Sequence, residues 1–139
     1  MKLIRSALLI LCVAASVQAQ QEIKVGGIFD LTGITSDVGK PYAQGVRDGV
    51  AWTNENGGIN GKKIRLVDVD YGYKIPEAVA AYKRMTGDEK VIMINGWGTG
   101  DTEGLKAQVN QDKIPYVSAC TTSSSAPATP TGSAPGSSG

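Results

Sequence analysis

The fold is decided by the stretch NENGGINGKKIRLVDVD, residues 54–70, which encodes a helix exit, a tight turn and a strand in direct succession. Gly57 and Gly58 can adopt the positive φ angles that end a helix, and Asn60-Gly61 is a dipeptide that reverses the chain. Apolar residues of a mostly buried strand follow, and two carboxylates lie toward its carboxyl end: Ile64, Leu66, Val67 and Val69, with Asp68 and Asp70. The stretch predicts a helix-to-strand unit of an α/β protein.

The same alternation extends on both sides of this unit. We predict strands at residues 23–28, 64–70, 91–94 and 115–118, and helices at about 41–56, 76–86 and 102–111. Pro41 and Pro76 suit first helical turns. Gly45 and Gly49 weaken the first helix, so we expect them to let it lie close on the sheet. The pattern predicts an open parallel sheet with flanking helices and right-handed crossovers.

Short motifs in this frame resemble a known family. They are Asn-x-x-Gly-Gly-Ile-Asn-Gly from Asn54, then Leu31-Thr32-Gly33, Gly39, Gly45, Pro76-Glu77-Ala78 and Ile114-Pro115-Tyr116-Val117-Ser118. Over residues 23–122 the chain resembles the leucine/isoleucine/valine-type (type I) periplasmic binding proteins, the solute receptors of ABC importers. The resemblance implies part of an N-terminal lobe, residues 20–122, which would bind an amino acid or a related small carboxylate by closing against a second lobe. It also implies a membrane permease as partner, and we predict a monomer.

The first 19 residues read as an export signal. Lys2 and Arg5 form a charged region, residues 7–17 are apolar, and Val-Gln-Ala before residue 20 is a small-x-small cleavage site. The apolar run is too short to span a bilayer, which takes about 20 residues. We therefore predict a periplasmic protein that is cleaved near Ala19.

The two cysteines and the charge balance narrow the class further. Cys12 leaves with the signal, and Leu11 stands where a lipobox needs a small residue, so we do not expect lipidation. Cys120 is then the only cysteine of the mature chain, which excludes an internal disulfide. Cleavage leaves 12 basic residues against 13 acidic ones, without a basic cluster, so nothing favours nucleic acid as a partner.

Residues 123–139 consist of Ser, Pro, Gly, Ala and Thr, without a large apolar side chain. Such a segment cannot bury enough surface to fold, so we predict a disordered tail. It is either a flexible linker or the result of a broken reading frame, and we favour truncation because family members continue into a second lobe. If the chain stops at Gly139, we expect weak or absent binding.

Ligands of open α/β sheets bind at the carboxyl ends of the strands. The loops predicted there are residues 29–39, 71–75, 95–101 and 119–123, and the helices after the first and third loops direct free N–H groups toward a carboxylate. Position by position, the resemblance implies that these residues contact the ligand: Val38, Thr99, Gly100, Cys120 and Thr122. Thr99 would bind the ligand carboxylate or cap its helix, with Asp101 or Thr102 as competing caps.

Catalysis has little support in the sequence. The chain has no histidine, which excludes imidazole-based zinc sites and nucleophile pairs with His, so we predict no catalytic residue, metal or cofactor. Residues 96–100, Gly-Trp-Gly-Thr-Gly, do not form a dinucleotide fingerprint. Asp30, Asp68 and Asp70 raise the alternative of a Mg²⁺ or phosphoacceptor site. A cytoplasmic Rossmann-type nucleotide-binding enzyme and a nonfunctional gene remnant stay open as alternatives.

Overall fold

A computed structural model describes residues 22–119 of the 139-residue chain. Four strands and three helices alternate along it: β1 (Ile23–Phe29), α1 (Ser36–Glu55), β2 (Ile64–Asp70), α2 (Ile75–Arg84), β3 (Ile94–Asn95), α3 (Thr99–Asp112) and β4 (Tyr116–Val117). A π-helical turn, Met85–Glu89, prolongs α2. The predictions for the export signal and its cleavage site, for Cys120 and Thr122, and for the tail concern residues outside the described range.

All strand pairs are parallel, and the sheet order is β2-β1-β3-β4. Seven residues of β1 pair with seven of β2, from Ile23 opposite Ile64 to Phe29 opposite Asp70. Strand β2 therefore lies on one side of β1, and β3 and β4 lie on the other. The predicted open parallel sheet with flanking helices is confirmed.

The stretch at residues 54–70 folds as its sequence indicates. Gly57 and Gly58 have φ angles of 97° and 75° after the end of α1, and Asn60 and Gly61 have φ angles of 50° and 78°. Two backbone hydrogen bonds of 2.9 Å between Ile59 and Lys62 close this turn. Two positive φ angles at the centre of a turn are typical of a type I′ reversal, which accounts for the Asn-Gly pair.

The two faces of the sheet carry different layers. Helix α1 packs on β1 and β2, whereas α2 and α3 pack against each other on the opposite face. The main core lies under α2 and α3 and contains Ile28, Tyr71, Ala78, Ala81, Tyr82, Met85, Val91, Ile94 and Leu105. Strand alternation explains the division, because Ile94 enters this core while the next residue, Asn95, accepts a hydrogen bond from Tyr42 of α1.

Several predicted boundaries were wrong. Helix α1 begins at Ser36 and α3 at Thr99, five and three residues before the predicted starts, so Pro41 lies inside α1. Strands β3 and β4 each span two residues, fewer than predicted. Both helices begin early because a buried aspartate, Asp30 for α1 and Asp101 for α3, accepts hydrogen bonds from the loop that precedes the helix.

The packing role expected for Gly45 and Gly49 is also wrong. Both glycines are on the exposed side of α1, and a Cβ atom added to either would meet no atom within 4 Å. The glycine of α1 that does pack closely is Gly39, whose added Cβ would lie 2.0 Å from the carbonyl oxygen of Asp30. The close approach of α1 therefore occurs at its first turn, next to the carboxyl end of β1.

No helix within residues 22–119 is both long enough and apolar enough to cross a membrane.

Candidate functional site

The carboxyl ends of β1 and β3 form the topological switch point of this sheet. The loop after β1 leads into α1 on one face, and the loop after β3 leads into α3 on the other. Crevices of this kind hold the ligands of open α/β proteins. The two helix N-termini that meet there each present backbone N–H groups without intrahelical partners.

Asp30 organises the loop after β1. Its side chain is fully buried and accepts hydrogen bonds from the Gly33 N–H at 2.6 Å, the Thr35 N–H at 2.8 Å and the Thr35 hydroxyl at 2.6 Å. These bonds draw the loop into a compact turn, so that α1 starts directly afterward at Ser36. Asp30 is therefore a structural acceptor at this site.

Asp101 organises the loop after β3 in the same way. Its fully buried carboxylate accepts the Gly98 N–H at 2.8 Å and the Trp97 N–H at 3.2 Å. Gly98 is the N-cap of α3 and Asp101 is its third residue, so this contact resembles one half of a capping box. Of the caps considered from the sequence, Asp101 makes the capping contact, and Thr99 and Thr102 do not occupy the cap position.

Trp97 joins the two loops across the switch point. Its indole N–H donates to the Thr35 hydroxyl oxygen at 2.7 Å, and the same hydroxyl donates to Asp30. The Trp97 ring lies 5.1 Å from the ring of Tyr42, measured between centroids, and Tyr42 makes an edge contact with Phe29 at 5.9 Å. The Trp97 side chain thus connects the start of α1 with the start of α3.

Three of the predicted site residues lie in the first turns of these two helices. Thr99 is the exposed first residue of α3, and Gly100 follows it. Val38 belongs to the first turn of α1 and not to a loop as predicted. The residue is 62% exposed, and Ile34, four residues earlier, is 87% exposed. The structure therefore brings Val38, Thr99 and Gly100 to the same edge of the sheet.

The other predicted contacts, Cys120 and Thr122, follow β4 and lie outside the described residues. Ala119, the last described residue, comes two positions after the end of β4, whose neighbour in the sheet is β3. Parallel pairing puts the carboxyl end of β4 at the same edge as that of β3. The last described residues therefore lie at the switch-point edge.

The carboxylates that the sequence offered as a metal site each have different partners in the structure. Asp68 forms an ion pair with Arg47 of α1, and Asp70 accepts from the Leu31 N–H, the Thr32 hydroxyl and the Gly72 N–H. Partial burial opposes ionisation of Asp70, but these hydrogen bonds outweigh it and hold the pKa of this carboxyl below its ordinary value. Within residues 22–119, no three potential ligands are grouped so that they could hold a metal ion.

Comparison with known proteins agrees with this architecture. The family model described as "Periplasmic binding protein" matches residues 22–138. The chain belongs to this family. Among its relatives, an amino acid binding protein of Pseudomonas aeruginosa is 32% identical over an alignment of 99 residues. The alignment covers 68% of this chain and 26% of that protein.

Solved structures of periplasmic binding proteins superimpose on the same part. An ABC transporter substrate-binding protein from Aeropyrum pernix has 42% identity and a TM-score of 0.66, covering 70% of this chain and 27% of that one. The branched-chain amino acid transporter substrate-binding protein LivJ from Streptococcus pneumoniae, solved with isoleucine, has 28% identity and a TM-score of 0.66, covering 70% and 28%. The chain thus spans about a quarter of the length of these periplasmic binding proteins.

Sequence reasoning missed the two buried aspartates as organisers of the site. Asp101 carries a recognisable signal, because an acidic residue at the third helical position is the usual partner of a cap. Asp30 is followed by a glycine and a threonine at three and five residues, which is typical of an Asx-type turn. Neither signal indicates that the side chain is completely buried.

Proposed function

We propose that this chain supplies part of the ligand-binding lobe of an extracytoplasmic solute-binding protein of an ABC importer. Its ligand would be a branched-chain amino acid or a related small carboxylate, and its partner a membrane permease. The names of the relatives support this class, since they include an amino acid binding protein and a receptor solved with isoleucine. The proposal also includes export, with cleavage near Ala19, a monomeric state and binding without catalysis.

The observation that carries the proposal is the exposed start of α3 at the switch point. Thr99 offers a hydroxyl and a backbone N–H there, and Gly100 adds a second N–H in the first helical turn. The partial positive charge of a 14-residue helix favours an anion at this end. A ligand carboxylate held by these donors would make charge-assisted hydrogen bonds.

The side chains around this point suit an amphiphilic ligand. Ile34 and Val38 are exposed apolar residues at the start of α1, and Trp97 lies between the two helix ends. An aliphatic side chain could lie against these surfaces while its carboxylate contacts α3. A branched-chain amino acid combines both groups, whereas a free inorganic anion would leave the apolar surfaces uncovered.

Trp97 provides the test, because the chain contains only one other tryptophan, Trp52, which is 67% exposed. In the Trp52→Phe variant, the emission of Trp97 reports on the switch point. We expect L-isoleucine to change this emission saturably, with a dissociation constant in the millimolar range, because the chain spans about a quarter of its relatives. An emission that stays unchanged up to 50 mM ligand, about 50 times a dissociation constant of 1 mM, would refute ligand binding by this part of the lobe.

Thr99→Val, made in the same background, is the matched variant for the hydroxyl. It keeps the shape of the side chain and removes its hydrogen-bonding group. Hydrogen bonds to charged groups contribute about 1.5–3 kcal/mol, so the affinity should fall by about tenfold or more. Equal affinities of the two proteins would remove Thr99 from the site and leave the backbone N–H groups as the donors.

A further inference from the structure

We propose that Asp101 is a positioning residue for carboxylate binding. Its buried carboxylate accepts hydrogen bonds from β4 and from the segments after β2 and β3, and these bonds fix the orientation of the start of α3. The inference rests on the proposed function, because it assigns the means by which the Thr99 end of α3 is held toward a ligand. Asp101 itself would not touch the ligand, since its side chain is fully buried.

Four donors from three separate parts of the sheet edge converge on Asp101. The Tyr71 hydroxyl, directly after β2, donates to Oδ1 at 2.7 Å, and the Tyr116 hydroxyl of β4 donates to Oδ2 at 2.5 Å. The N–H groups of Trp97 and Gly98 after β3 complete the set. One carboxylate is therefore bonded to a residue of β4 and to the segments that follow β2 and β3.

The surroundings are shaped to allow these contacts. A Cβ atom on Gly96 would lie 2.0 Å from the Tyr116 hydroxyl oxygen, so any larger residue there would displace the tyrosine from Asp101. Burial, and then the neighbouring carboxylate, raise the pKa of Tyr71 and Tyr116 well above the ordinary tyrosine value. Both hydroxyls therefore remain protonated donors at physiological pH.

An amide cannot replace this carboxylate. Each oxygen of Asp101 accepts one tyrosine hydroxyl and one backbone N–H. Asp101→Asn would turn one of the two oxygens into a donor that faces a backbone N–H. The loop before α3 would then shift, and the N–H groups at Thr99 and Gly100 would lose their alignment with the ligand.

Two possible effects of Asp101, electrostatic repulsion of the ligand and positioning of the helix start, predict opposite changes in carboxylate binding for Asp101→Asn. Asp101 carries a negative charge close to the helix end that would bind an anion. If the charge were all that mattered, Asp101→Asn would relieve repulsion and tighten carboxylate binding. If Asp101 positions the helix end, the same variant weakens carboxylate binding.

The chain offers a matched control at the other end of α3. Asp112, the last residue of this helix, accepts a hydrogen bond of 3.0 Å from Tyr82. Asp112→Asn changes the same chemical group in a tyrosine–aspartate contact, about 16 Å away at 1.5 Å per residue along the helix. It should lower stability without changing the geometry at Thr99.

The experiment measures the affinities of L-isoleucine and L-isoleucinamide, which lacks the carboxylate, by Trp97 emission in the Trp52→Phe background. The reference protein should prefer isoleucine by about tenfold, since one charge-assisted contact is lost in the amide. Asp101→Asn should bring this preference close to one, and Asp112→Asn should leave it unchanged. Loss of thermal stability alone would not change the ratio of the two affinities.

Three results would refute either the proposed function or the positioning role of Asp101. A reference protein that binds neither compound refutes the proposed function, and the inference with it. A reference that prefers isoleucine, with an unchanged or larger preference in Asp101→Asn, refutes the inference only. If Asp101→Asn does not fold, Tyr116→Phe removes one of the four donors, and a preference equal to that of the reference would again refute positioning.

Discussion

Replacing Gly49 by alanine should stabilise this protein, although glycine looks like a packing residue in the sequence. Gly49 lies inside α1, and an added Cβ atom would meet nothing within 4 Å. Alanine is favoured over glycine inside a helix by about 0.8–1.0 kcal/mol, and the new methyl group creates no clash. Gly45 has the same open surroundings, so Gly45→Ala should add a similar amount.

Urea unfolding followed by circular dichroism at 222 nm gives the magnitude directly. With an m value of about 1.5 kcal/mol/M, a gain of 1 kcal/mol moves the midpoint upward by about 0.7 M. The same gain raises the melting temperature by about 4–8 °C for a domain of about 100 residues. The double variant should show about twice the shift of either single change.

Gly39→Ala is the matched control on the same helix. Its Cβ atom would lie 2.0 Å from the backbone oxygen of Asp30, which cannot move aside as a flexible side chain could. We expect a loss of about 3 kcal/mol, at the upper end for overpacking. Destabilisation by Gly49→Ala would refute the reasoning, because it would mean that another surface packs on this face of α1.

Three further changes test individual contacts. Asn54→Ala removes the side chain whose oxygen and nitrogen bond the N–H and C=O of Ile64 at 2.7 and 2.8 Å, so it should lower the unfolding free energy by about 2 kcal/mol in urea titrations. Burial and a carboxylate partner raise the pKa of Tyr82 to about 12 from 10.0, so its stabilisation is complete below pH 10 and lost between pH 10 and 12; Tyr82→Phe should reduce this alkaline loss, and an unchanged pH profile would contradict the assignment. Thr35→Val breaks the contact with the Trp97 indole, so the Trp97 emission in Trp52→Phe protein should shift to longer wavelength, and an unchanged spectrum would show that the contact does not hold the ring.

The sheet was predictable because its signals are local. Asn60-Gly61 and the run from Ile64 to Asp70 each specify their own geometry, and β2 has the predicted bounds. The helix starts were not predictable, because they depend on side chains that are buried in the folded protein. Pro41 is a strong local signal for a first turn, yet the contacts of Asp30 with Gly33 and Thr35 allow α1 to begin earlier.

The candidate site also has features that the sequence predicted and features that it could not predict. The edge of the sheet followed from the alternation of strands and helices, and the residues Val38, Thr99 and Gly100 on it followed from the family resemblance. The convergence of Tyr71 and Tyr116 on Asp101 could not be predicted, since these residues are separated by up to 45 positions and meet only through the parallel pairing of the strands. Long-range polar contacts of this kind leave no periodic signal in a sequence.

The most direct measurement of the central claim is an amide map of the binding surface. In ¹H–¹⁵N NMR spectra of the labelled protein, titration with L-isoleucine should shift the amides of Thr99 and Gly100 first and furthest, together with those at the start of α1. L-Isoleucinamide at equal concentration should shift them far less, because it lacks the carboxylate that the start of α3 would bind. Equal shifts with both compounds, or shifts confined to the opposite edge of the sheet, would contradict a carboxylate-binding site at this switch point.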